Sequence, residues 1–133
     1  MLWTNSKRII GIAYGPKRVG VAASDEGRKF AMPLSVIENT QELVAEVEKI
    51  ARDNEAREIV VGESRNYKGE PNPIFEEVEK FKQEMEKRGF VVYLELEFMT
   101  SAQAERVQGK HDKLDASAAA LILQSYLDRN NHA

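Results

Sequence analysis

Short apolar runs of two kinds alternate along the chain. Ile9-Ile10-Gly11-Ile12-Ala13-Tyr14 and Val19-Gly20-Val21-Ala22 flank Gly15-Pro16-Lys17-Arg18, which predicts strands over 8–14 and 19–24 joined as an antiparallel hairpin. Lys29 to Ile37 predicts a third short strand. Pro33 inside it marks an edge strand or a bulge, because proline cannot donate to a ladder. From Gln41 to Asp53 the period changes: Leu43, Val44, Val47, Ile50 and Ala51 recur at helical spacing, with Thr40 placed to cap the start. Glu58-Ile59-Val60-Val61-Gly62 is a continuous apolar run, the pattern of a central strand covered on both faces.

A polar loop, 65–71, leads to Asn72 as N-cap and Pro73 at the first helical position. That helix runs to about Arg88 and ends at Gly89, before a fifth strand over 90–98. Thr100-Ser101-Ala102-Gln103 resembles a capping box opening a short helix through Val107, with Gly109 closing it. Asp112 caps the last helix, where Leu114, Ala118, Leu121, Ile122, Ser125 and Tyr126 fall near one stripe. The order β-β-β-α-β-α-β-α-α predicts a three-layer α/β/α domain around a five-stranded mixed sheet, spanning 1–133. The residues before the first strand, including Trp3, receive no function.

Composition narrows the chemistry. With 42% hydrophobic and 31% charged residues among 133, the chain is of ordinary globular make-up. A formal net charge of −3 gives no general attraction to nucleic acid, so such a partner needs a local basic patch. The absence of cysteine excludes disulfides and thiolate metal sites, and with only His111 and His132 for imidazole, any metal is expected to be a hard cation on oxygen. No segment is apolar enough for a membrane span or signal peptide, so no membrane partner and a cytoplasmic location are expected.

Ligands of open α/β sheets bind outside the carboxyl ends of the strands. Glu63 follows the central strand, Glu97 lies near the end of the fifth, and Asp115 lies in the first turn of the last helix. Singly, each has a plain explanation: a solvated loop residue, an exposed strand residue, a favourable charge at a helix N-terminus. Together, beside the glycine-rich basic hairpin tip, they suit Mg²⁺ or Mn²⁺ on a phosphodiester.

Four ordered blocks resemble the YqgF/RuvX family of RNase H-like Holliday-junction resolvases over almost the whole chain. They are Gly11-Ile12-Ala13-Tyr14-Gly15 with Lys17 to Ala22 and Ser24-Asp25; Ile59-Val60-Val61-Gly62; Glu97-Phe98-Met99-Thr100-Ser101 with Ala104-Glu105-Arg106; and Lys113-Leu114-Asp115 through Leu127, the most specific. The resemblance implies an RNase H-like fold and cleavage of structured nucleic acid, dependent on Mg²⁺ or Mn²⁺, in junction resolution or pre-16S rRNA 5′ end processing. It carries the family's acids over to Glu97 and Asp115, as catalytic residues and metal ligands.

It also exposes a departure. The family has aspartate on the first strand where this chain has Ala13, and a methyl group cannot bind a cation. Three readings compete: an engineered inactivation, a natural loss leaving a nucleic-acid-binding pseudo-nuclease, or partial replacement by Glu63, where the family has Gly-Leu-Pro in place of Gly62-Glu63-Ser64. Retention of Glu97 and Asp115 favours the first. Lys17, Arg18, Arg65, Lys68, Lys110 and Lys113, with His111, are expected to line a phosphate track, although scattered lysines are ordinarily just solvated. Tyr14 and Tyr67 offer rings for stacking on an unpaired base, with packing the expected role of Tyr14. Cutting two strands of a junction needs two sites, a functional reason to expect a homodimer, for which the stripe Leu121, Ile122, Tyr126 is a candidate surface. An actin-like ATP-binding protein, the remaining alternative, would need a second half to close over the nucleotide.

Overall fold

The computed structural model describes residues 8–15, 17–63, 74–95 and 114–130. Five strands form one sheet, β1 (Arg8–Tyr14), β2 (Arg18–Ser24), β3 (Ala31–Glu38), β4 (Ala56–Glu63) and β5 (Val91–Leu94). Their spatial order is β3-β2-β1-β4-β5. The hairpin partners β1, β2 and β3 run antiparallel, whereas β4 pairs parallel to both β1 and β5. Helices α1 (Leu43–Asp53) and α2 (Ile74–Lys87) are the crossovers that parallel pairing demands, and α3 (Leu114–Asn130) covers the other face. The expected three-layer mixed sheet is the observed one.

Alternation along β1 divides the core in two. Ile10, Ile12 and Tyr14 join Val47, Phe81 and Met85 on the face of α1 and α2, while Ile9 joins Ala119, Ile122, Leu123 and Leu127 on the face of α3. Both rows are buried, which is why β1 and β4 read as continuous apolar runs rather than alternating ones. Each fully buried Ile or Val stabilises by about 1.5–3 kcal/mol relative to exposure. On the α3 face glycine sets the spacing. A Cβ at Gly11 would stand 2.7 Å from Leu123 Cβ and 2.9 Å from the Ala119 carbonyl oxygen, and one at Gly62 would stand 2.6 Å from Ile122 Cδ1. The helix therefore rests on backbone.

Several boundaries differ from expectation. At α1 the N-cap position is Glu42, with no side-chain cap; Thr40 Oγ1 instead accepts the Glu42 N–H at 3.2 Å in the preceding turn. In β3, Pro33 does sit in an edge strand at a register shift, opposite Ala22, with Ser35 opposite Val21. The start of that strand is held by α3: Gln124 Oε1 accepts the Ala31 N–H and Gln124 Nε2 donates to the Lys29 carbonyl. Side-chain amide thus replaces a missing neighbour strand. The stripe of α3 is rotated from the expected one, because Leu121 is 39% exposed while Ala119, Leu123 and Leu127 are buried. Gly89 ends α2 at φ 99°, a left-handed conformation open to glycine. The segments expected to hold the capping box at Thr100, Arg65, Lys68, Glu97, Lys110, His111 and Lys113 lie outside the described residues.

Candidate active site at the carboxyl ends of the strands

Ala13 stands one residue from the end of β1, with Gly20 of β2 on one side and Gly62 of β4 on the other. Cross-strand partners share a face. This row belongs to the α3 side, where Ala13 packs half-buried against the cluster of Ala119, Ile122 and Leu123. In α3, Asp115 occupies the first turn, four residues before Ala119, whose carbonyl lies over Gly11. Positions 115 and 119 fall on one helical stripe. The fold thus sets the start of α3 beside the carboxyl end of β1. Glu63, the last residue of β4, is the register partner of Tyr14. Its position is in the next row, not the row of Ala13.

The row continues onto β5. Val61 pairs with Leu94, and the Glu95 N–H donates to the Val61 carbonyl at 2.8 Å, which sets Glu95 beside Gly62. Glu95 is 1% exposed. Its carboxylate accepts a hydrogen bond from Ser125 Oγ at 3.0 Å and pairs with Arg129 Nη2, both on α3. The alternating run Tyr93-Leu94-Glu95-Leu96-Glu97 reads as one solvated edge, so sequence reasoning passed over Glu95. The available signal was the i, i+4 pair Ser125 and Arg129, two polar groups spaced to meet one acid.

The hairpin tip is braced rather than loose. Asn39 Nδ2 donates to the Gly15 carbonyl at 2.8 Å and the Asn39 N–H to the Lys17 carbonyl at 2.9 Å. Lys17 and Arg18 are exposed, with Arg18 at the register position opposite Glu38. Tyr14 is turned into the other face, 6% exposed, its ring 5.7 Å from that of Phe81 and its hydroxyl donating to Glu77 at 3.3 Å. It packs, as expected, and a buried ring cannot stack on a base. Burial, partly offset by the Asn39 side chain and reinforced by Glu77, raises its phenol above the ordinary value. A cavity of about 400 Å³ opens beside it, lined by Asn39, Thr40, Leu43, Glu77 and Phe81.

Ser24 and Asp25 build the turn after β2. Ser24 Oγ accepts the Ile9 N–H at 2.9 Å, and Asp25 Oδ1 accepts the N–H groups of Lys29 and Phe30 at 2.8 and 2.9 Å. Those backbone donors, Phe30 first and Lys29 next, hold the Asp25 carboxyl below its ordinary range. No group of three or more His, Cys, Asp or Glu that could hold a metal ion occurs among the described residues. Nor is any described helix long and apolar enough to cross a membrane.

The RuvX family model, described as Holliday junction resolvase, matches residues 7–129. The chain belongs to the RuvX family. Relatives of this RuvX chain carry the name "Putative pre-16S rRNA nuclease": one from Chlorobaculum tepidum is 33% identical over 96% of this chain and 98% of its own length, and one from Caldanaerobacter subterraneus subsp. tengcongensis is 34% identical over 95% and 99%. Among solved structures, Thermus thermophilus RuvC in complex with Holliday junction substrate superposes with a TM-score of 0.59 at 16% identity, covering 93% of this chain and 95% of that one. The fowlpox virus Holliday junction resolvase gives 0.55 at 14% identity, covering 92% and 99%. These last two share the fold, that of RuvC-like RNase H resolvases. The family is one of nucleases, and the RuvX chain sets Ala13 between Gly20 and Gly62 near the carboxyl end of β1.

Proposed function

We propose that this RuvX chain is the scaffold of a metal-dependent endonuclease for structured nucleic acid, with Glu97 and Asp115 as its acids and Ala13 where a third belongs. The observation that carries this reading is the placement of Ala13: beside the carboxyl end of β1, in a row of small residues, on the face whose helix begins with Asp115. Mg²⁺ or Mn²⁺ held there by Glu97 and Asp115 would polarise the phosphodiester and lower the pKa of a bound water. The methyl of Ala13 contributes no oxygen, and the ladder already uses the neighbouring backbone groups. The donor set is therefore one ligand short, and the chain as it stands binds substrate with cleavage weakened or lost. Glu63, one row away, is the weaker candidate to make up the deficit.

Lys17 and Arg18 on the braced tip, with Arg65, Lys68, Lys110 and Lys113, supply phosphate contacts in this reading. A branched DNA or a precursor ribosomal RNA is the substrate class, and a homodimer would present two such sites.

The Ala13→Asp variant tests it. Without metal, an added carboxylate against the half-buried α3 face is expected to lower the melting temperature. Mn²⁺ is expected to restore it, and the variant to cut a four-way DNA junction or a pre-16S precursor where the parent does not. A folded Ala13→Asp protein that gains neither Mn²⁺ stabilisation nor cleavage defeats the nuclease reading. The second reading, a non-catalytic nucleic-acid-binding module, draws on the same methyl group. It predicts salt-sensitive binding indifferent to Glu97 and Asp115.

A further inference from the structure

Glu95 is the one buried ionisable acid among the described residues, and the cleavage chemistry has no use for it. A carboxylate removed from water is tolerated only when its charge and lone pairs are met. Ser125 Oγ takes one oxygen and Arg129 the other. The two partners differ in exposure: the Glu95 side chain is 1% accessible, that of Arg129 62%. One end of the pair is locked and the other faces solvent. An arginine on a helix surface ordinarily samples many rotamers, and a buried acid that fixes one of its nitrogens removes most of that freedom before any ligand arrives. A guanidinium has five N–H donors in a planar fork, so engagement through Nη2 leaves a fork suited to phosphate oxygens.

Its location gives this arrangement a use. Glu95 continues the row Gly20, Ala13, Gly62 onto β5 at the carboxyl ends of the strands. Two strand spacings separate the Ala13 and Glu95 positions, roughly 10 Å. The pair therefore stands at the rim of the candidate active site, not at the opposite end of the sheet.

We propose that Arg129 is a preset phosphate contact, held by buried Glu95 at the carboxyl rim of the sheet to receive a backbone phosphate near the one lying over Ala13. This rests on the nucleic-acid reading above. The rival account is that the pair merely ties α3 to β5. Because removing Arg129 alone would strand a buried carboxylate, the informative comparison sets the parent beside Glu95→Gln/Arg129→Met, with Glu95→Gln alone as the control for losing the acid that presets the guanidinium.

Binding of the full-length chain to a four-way DNA junction and to a pre-16S 5′-leader RNA, in EDTA and over a series of salt concentrations, separates the two accounts. The double variant is expected to lose about one phosphate from the salt dependence, a slope shallower by about 0.9 on duplex DNA and about 0.7 on single strands. Melting temperatures of the two variants should agree. A folded double variant with the parent's slope overturns the assignment and leaves a tie between helix and strand. Should the double variant fail to fold, the Arg129 Nε–H resonance of the parent, assigned through Arg129→Lys, replaces it: a shift on adding junction supports the contact and a stationary signal overturns it. A parent that binds neither probe brings down the nucleic-acid reading itself, and this assignment with it.

Discussion

The two faces of the sheet are built on opposite plans. Against α1 and α2 the strands present Ile10, Ile12, Ile59 and Tyr14, which interlock with Val47, Phe81 and Met85 as a conventional bulky core. Against α3 they present Ile9 and Val60 beside the small residues Gly11, Ala13, Gly20, Ala22 and Gly62, so that near these the helix descends onto the backbone and its own Ile122 and Leu123 fill the space. A core of large side chains stabilises but leaves no room for chemistry. A face of small residues brings a helix terminus close to strand ends, and the first turn of α3, which carries Asp115, stands where these meet. Stability and site construction are thereby divided between the two sides of one β-strand, residue by residue.

The division can be broken most severely from the bulky side. Phe81→Ala should cost about 3–5 kcal/mol, measured by denaturant unfolding, because it opens a cavity beneath Tyr14. If that face serves stability alone, the folded fraction of the variant should bind nucleic acid as the parent does. On the small-residue side the expected loss is lower and of opposite origin. Gly11→Ala should cost about 1–3 kcal/mol by overpacking, since the nearest obstacles are Leu123 Cβ and a backbone oxygen that cannot rotate away. A double-mutant cycle with Leu123→Gly, which removes the Cβ that Gly11→Ala would meet, should show coupling between the two positions. Additive losses would mean that α3 has freedom to lift. Unlike Phe81→Ala, Gly11→Ala should also disturb metal binding in the Ala13→Asp background, because it displaces the helix that carries Asp115.

A smaller effect concerns the turn after β2, which belongs to neither face. The folded Asp25 carboxyl titrates below its ordinary range, so its contribution to stability is complete above the unfolded value and vanishes as pH falls through the folded one. Asp25→Asn should therefore lower stability at neutral pH by that contribution and converge with the parent at the acid end, flattening the acid limb between, which melting curves between pH 2 and about 7 would register. A variant whose acid limb matches the parent would show that the turn opens before the sheet does.

Most of the architecture was legible because local pattern and tertiary burial agree. The β1–β2 hairpin, the apolar run of β4 and the periodicity of α1 each specify one element, and the order of elements then leaves few topologies. What resisted reading depended on partners distant in sequence. Thr40 looks like a cap, yet the turn it closes starts the helix at Leu43. Leu121 looks like core, yet the close approach at Gly11 and Gly62 rotates α3 until Ala119 and Leu123 face the sheet. Glu95 looks like solvent-facing polarity, and only the return of α3 thirty-odd residues later, bringing Ser125 and Arg129, turns it inward. The resemblance assigns acids by motif alone, whereas the register separates the Ala13 row from the Glu63 row, a distinction of one residue that motif does not make.

The seat of α3 on Gly11 has a temporal consequence. β1 is synthesised well before α3, yet the close seat at Gly11 needs both. The hairpin and the parallel strands can assemble during synthesis, but the face of Gly11, Ala13 and Gly62 is covered only after α3 has been made and docked. The order of synthesis thus becomes an order of assembly: the sheet can form first, and the helix that closes its small-residue face comes after.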